Sequence, residues 1–156
     1  MTYGRGALPW VAVAVGAALG TSMRYGLDLL LPHSLDAVPW STIIANTLGS
    51  FALGLLAAGT WGVVPPWLRA GLGAGVLGSF TTFSTLMIAA VAIAQGGPLA
   101  HGPGSVEPGS VAQAAMVIVG SAFVGLLAAL IGILVGRRLA GLSLRPRPTV
   151  DDEEDA

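Results

Sequence analysis

Four long apolar stretches, parted by short connections full of helix breakers, constrain this chain more than anything else in it. A helix that crosses the bilayer core needs roughly 20 apolar residues. Four stretches qualify, from about Leu8 to Leu31, Trp40 to Thr60, Leu68 to Gln95 and Val111 to Val135. Hydrocarbon offers no water to unpaired backbone groups, so such stretches must be helices. The expectation is an all-α integral membrane protein, with one four-span bundle over residues 1–136. Composition agrees: 54% of residues are hydrophobic and only 10% charged, with a mean hydropathy of +0.79, outside the usual soluble balance.

The connections read "LPHSLDAVP", "WGVVPPW" and "GGPLAHGPGSVEPGS", each with the Pro and Gly that end helices. Arg5 ahead of an apolar run gives the first stretch the outline of a secretion signal. The run continues past Leu19 to Arg24 and three more stretches follow, so it is read as a retained span. Trp10, Trp40, Trp61 and Trp67 fall near span ends, where indole rings suit the headgroup boundary. Residues 137–156 are first basic and Pro-rich, then acidic ("DDEEDA"). With nothing apolar to bury, this tail is expected to be disordered.

Arginine placement orients the bundle. Arg5, Arg69, Arg137, Arg138, Arg145 and Arg147 fall on one side of a four-span arrangement, and the opposite connections hold no Lys or Arg. Short loops rich in basic residues stay in the cytoplasm, which puts both termini there, in a multi-pass protein of the cell membrane.

Several chemistries are excluded. No cysteine is present, which removes thiolate metal sites and cysteine nucleophiles. His33 and His101 are isolated in connections, too sparse for a metal site. There is no phosphate-binding glycine loop and no nucleophile paired with a base, so an enzyme is not expected. Before the tail the only acidic residues are Asp28, Asp36 and Glu107. A proton-coupled drug exporter needs a carboxylate within the membrane. Asp28 alone could serve, and it lies one helical turn from Arg24, where the two can pair.

Polar residues within the spans are the candidates for function. Asn46 sits early in the second span with Ser41, Thr42, Thr47 and Ser50 around it. Its amide carries two N–H donors and an acceptor, which suits either an interhelical hydrogen bond or a pore that strips water from an anion. Glycines four apart (Gly16 and Gly20, Gly71 and Gly75, Gly132 and Gly136) suit close helix packing. The sharpest feature is "GSFTTFST", Gly78 to Thr85, at the middle of the third stretch. Glycine and hydroxyl residues in a row favour a helix break there. A break at membrane depth frees carbonyls and N–H groups, tolerated only where they are buried in protein or line a wet or ion-filled cavity. Phe80 and Phe83 flank it, and ring edges carry partial positive charge.

The order "GAALGTSMRYGLDLLL", "PWSTIIANTLGSFALG", "GAGVLGSFTTFSTL" resembles the CrcB/Fluc family of fluoride channels across the first three spans. The resemblance implies passive, selective export of fluoride by an antiparallel dimer of four-helix subunits, the dual-topology type, with two narrow ion paths. It also implies a structural sodium ion bound by backbone carbonyls at the third-helix break, which match Gly78 and Thr81. Asn46 and Phe83 match path residues, and the expected path also takes in Phe80, Thr82, Ser84, Thr85 and Ser121. Arg24 matches an arginine suited to attracting the anion in a vestibule. Leu86 stands where the family carries a second phenylalanine, and Val117 where members often carry tyrosine. A member that inserts both ways needs nearly balanced loops, and the arginines here are one-sided. The expected assembly is therefore a heterodimer with an oppositely oriented homologue, a homodimer being the other case. The remaining alternatives are the drug exporter, and a non-conducting subunit that completes a partner channel.

Overall fold

The computed structural model describes residues 6–31, 38–95 and 108–143, and among them every regular element is helical. Arg5, His33, Asp36, His101, Glu107 and the tail from 144 lie outside these residues. Helix α1 is Leu8–Leu30 and α2 is Trp40–Gly59. The third stretch is composite: α3 (Pro66–Ala70), a π-helical segment (Gly71–Leu77), α4 (Gly78–Phe80), an unwound turn, and α5 (Ser84–Ala94). Helix α6 is Pro108–Ser143.

Among the described residues, three helical lines are long and apolar enough to cross a membrane: Trp40–Gly59, Pro66–Ala94 and Val111–Gly141. With 23 residues, or about 34 Å at 1.5 Å per residue, α1 has the length. Pro9, Trp10, Arg24 and Asp28 make it less apolar than the other three. At 36 residues, or about 54 Å, α6 exceeds a hydrocarbon core of about 30 Å. It starts before the expected Val111 and carries Arg137 and Arg138 within the helix, where the sequence reading began a disordered tail. Leucine, alanine and arginine are good helix formers, and no proline interrupts the run before Arg145.

The helices pack as two close pairs, and small residues explain both. Gly16 lies against Gly71 and Gly75, and Gly20 against Val76 and Phe80, so α1 runs parallel to the start of the third stretch. A methyl on Gly20 would run into the Val76 carbonyl. In the other pair, Gly54 faces Ala129, Gly132 faces Phe51, and Gly59 meets Gly136, so α2 runs parallel to α6. Without a hydrophobic driving force in lipid, such close backbone approach is what holds helices together. The start of α2 meets the end of α1 and the turn after α4 (Thr42 with Arg24, Asn46 with Thr82), and Trp61 beyond its end meets Gly73, so the two pairs run oppositely and the starts of α1 and α3 share one side with the ends of α2 and α6. Arg69, Arg137 and Arg138 therefore lie on that side. Large apolar side chains along α1 and α6 remain exposed, as surfaces facing lipid or another subunit do.

The tryptophans divide. Trp10, Trp40 and Trp67 are exposed, as anchors at a headgroup boundary are. Trp61 turns inward so that its ring lies over Gly73, and its Nε1 is buried with no acceptor among the described residues.

Candidate functional site, an unwound turn braced by Asn46

The helical ladder of the third stretch ends at Thr81, whose φ of −85° and ψ of 153° are extended. Ser79 and the hydroxyl residues that follow compete with the ladder through their own side chains. Thr81 Oγ1 donates to the Leu77 carbonyl at 2.9 Å, which also accepts the Thr81 N–H at 3.0 Å, so that the ladder's last carbonyl is shared. Helical geometry resumes at Phe83, which precedes α5 without a side-chain cap. The break thus sets the last carbonyls of α4 against the first N–H groups of α5, the two kinds of backbone group that a helix end leaves unpaired.

Asn46 fills the place of the missing backbone neighbour. Its Nδ2 donates to the Thr82 carbonyl at 2.8 Å, and the Thr82 N–H donates to its Oδ1 at 2.8 Å. Both distances are good hydrogen-bond lengths, and each bond is worth about 1 kcal/mol. A primary amide has two N–H donors, so the second is uncommitted among the described residues. The side chain is half-buried, and this pairing holds that donor in a fixed direction.

An open groove of about 640 Å³ runs past the turn between α2, the third stretch and α6. Asn46, Gly78, Thr81, Thr82, Phe83 and Ser121 all line it, so the break, the amide and the α6 hydroxyl expected from sequence do come together. Phe83 is 67% exposed, whereas Ser121 is buried. Leu86 lines the same groove at only 3% exposure.

Other expected residues sit elsewhere. Phe80 is buried with its ring near Gly49, which lines the groove, but Phe80 itself does not line it. Ser84 is exposed and exchanges a hydrogen bond of 3.0 Å with the Thr82 hydroxyl, and Thr85 is half-buried. Arg24 is not in the groove either. Its guanidinium enters the packing between α1, α2 and α4, with Asp28 Oδ2 4.0 Å from Nε, so the pairing anticipated one helical turn apart is present. Sequence reasoning gave no particular role to Thr42, which is fully buried and accepts from Arg24 at 3.3 Å. A threonine in a hydroxyl-rich helix start carries no signal that would single it out.

Known proteins share this stretch. Residues 11–133 match the family described as "CrcB-like protein, Camphor Resistance (CrcB)". The chain is 41% identical over 134 residues to a "Fluoride-specific ion channel FluC" of Thermus thermophilus, covering 85% of this chain and 98% of that protein. It is 38% identical over 135 residues to the "Fluoride-specific ion channel FluC 2" of Bacillus subtilis, covering 86% and 92%. A "Fluoride-specific ion channel FluC 3" of Streptomyces avermitilis is 38% identical over 128 residues, covering 81% of this chain and 57% of that protein. The matched region takes in all but three residues of α1, the whole of α2, the braced turn and most of α6, which leaves no part of the described site outside it. This multi-pass helical membrane protein belongs to the CrcB family.

Proposed function

We propose that this chain is a subunit of a fluoride-selective channel that lets fluoride leave the cytoplasm down its electrochemical gradient. One observation carries the reading: the unwound turn at Thr82, pinned by both ends of the Asn46 amide beside Phe83 and Ser121 in one groove. It lies in sequence shared with relatives named as fluoride-specific channels. Fluoride is small and strongly hydrated, so its path must replace water with directed donors. Those donors are the second N–H of Asn46, the hydroxyls of Thr82 and Ser121, and the positive edge of the Phe83 ring. Ser84 and Thr85 continue the hydroxyls along α5, and Phe80 backs the turn from the core. The N–H groups that open α5 add partial positive charge.

A structural sodium ion fits the other half of the break. Extended Thr81 takes the end of α4 out of the helical ladder. Backbone oxygens are the ligands a hard cation takes, and no carboxylate is required. The carbonyls of Gly78 and Thr81 would hold it, and the bound ion would neutralise their dipoles. Arg24, expected in a vestibule, packs on the far side of the turn with its guanidinium on Asp28, Thr42 and the Phe80 carbonyl.

The assembly that fits is an antiparallel dimer whose second subunit closes the open groove. One-sided Arg69, Arg137 and Arg138 support a single orientation in the cell membrane, with both termini in the cytoplasm. An antiparallel partner is then a different, oppositely oriented homologue. Leu86 in place of a second ring supports such an asymmetric pair, and relatives numbered 2 and 3 support there being more than one such chain in a cell. Asp28, the carboxylate a proton-coupled exporter would use, faces Arg24 instead.

The test is fluoride efflux from liposomes, followed with a fluoride electrode, for this chain alone and together with a homologue from the same genome. Fluoride efflux well above chloride, lost on changing Asn46, is the expected result. No efflux from either preparation would leave the chain a non-conducting subunit.

A further inference from the structure

Arg24 matches a residue whose expected work is to attract an anion, yet its guanidinium is turned to protein acceptors. Nη2 donates to the Thr42 hydroxyl of α2 at 3.3 Å, and Nη1 donates to the Phe80 carbonyl at 3.4 Å. Nε lies 4.0 Å from Asp28 of its own helix, and the Arg24 side chain is only 14% exposed. All three nitrogens are thereby directed, and the hydroxyl that receives one of them is fully buried. The planar fork of an arginine can bridge two acceptors in this way, which a lysine point charge cannot do with the same geometry.

The second of those acceptors decides what the bridge does. Phe80 is the last residue of α4, and its carbonyl is among those the break leaves outside the helical ladder. Two residues on, Asn46 holds Thr82. The unwound turn is therefore tied to α2 from both ends, through Arg24 and Thr42 before it and through Asn46 after it. We infer that Arg24 is a positioning residue of the conduction path: by fixing the Phe80 carbonyl against α2, it sets where the exposed carbonyls of the turn point and where Phe83 stands. This deepens the proposed function and rests on it.

Charge attraction and positioning make opposite demands. Thr42→Val keeps the arginine and its charge but removes the buried acceptor, and Thr42→Ser restores the hydroxyl. Arg24→Lys keeps the charge and loses the fork. The experiment places the full-length chain and these three variants in lipid nanodiscs for amide hydrogen exchange, and in liposomes for the fluoride-over-chloride permeability ratio from reversal potentials. Positioning predicts that Thr42→Val and Arg24→Lys speed exchange at residues 81–86 by about tenfold, the scale of one lost charge-assisted hydrogen bond. It also predicts a lower permeability ratio in both, with Thr42→Ser like the wild type in both measurements. Wild-type exchange in Thr42→Val overturns the inference. So does faster exchange spread evenly over α2 and α6, or faster exchange at 81–86 with an unchanged permeability ratio, since each describes a merely structural contact. A wild-type chain that passes no fluoride, alone or with a homologue from the same genome, counts against the channel reading and removes the conduction role with it. The exchange comparison then still decides whether the bridge exists.

Discussion

At the scale of single residues, Asn46 and Leu86 allow the clearest predictions. Asn46→Asp replaces a donor by an oxygen that faces the Thr82 carbonyl, while the Thr82 N–H keeps its acceptor. One bond becomes a repulsion, and we expect a stability loss of about 1–3 kcal/mol. Fluoride flux should fall at least about tenfold, because the turn loses its register and the path loses its donor. Thermal melting in detergent and the fluoride electrode check the two parts separately. Leu86→Phe asks whether the path runs past position 86. Overfilling a packed site costs about 1–3 kcal/mol, but Leu86 borders an open groove that can receive the ring. The expected outcome is higher flux with a smaller loss of stability than that, and lower flux would place the path elsewhere. Much of the site was legible at this scale, for a local reason: a run of glycines and hydroxyls in an apolar stretch announces a break wherever it folds. The partners were not legible. Asn46 reaches Thr82 across 36 residues and Arg24 reaches Phe80 across 56, and neither spacing has a period that a sequence displays.

At the scale of elements, the helices hold together by small residues, and α1 contains both a test and its control. Gly20 touches the third stretch at backbone distance, whereas nothing lies within 4 Å of where a methyl on Gly26 would stand. Gly20→Ala should force α1 and the π-helical segment apart, at a cost of about 1–3 kcal/mol. Gly26→Ala should stabilise by about 0.5–1 kcal/mol, because alanine loses less backbone freedom in a helix. Denaturant midpoints of the two variants in one detergent measure the difference. The glycine spacing announced this packing in advance, since a four-residue repeat places small residues on one helix face whatever the partner. Helix limits and types were less legible. Nothing local marks Gly71–Leu77 as π-helical, a segment that packs Gly71 and Gly75 against α1. The continuation of α6 to Ser143 was hidden because charge ends an apolar pattern without ending a helix.

At the scale of the whole molecule, the pairing directions of the helices turn a list of arginines into a sidedness. Parallel packing of α1 with the third stretch and of α2 with α6 puts Arg69, Arg137 and Arg138 at one end. On the proposed reading a chain so biased inserts one way, and an antiparallel dimer built from it would need a second kind of subunit. The absence of cysteine makes this directly measurable, since any introduced thiol is the sole label site. Gly62 lies in the turn on the arginine side, in open space, and exposed Gln95 ends α5 on the other. With a membrane-impermeant maleimide on intact cells, Gln95→Cys should label at once and Gly62→Cys only after permeabilisation. Comparable labelling of both in intact cells would mean that the chain inserts both ways. The arginines would then not control insertion, and one sequence could supply both halves of the dimer.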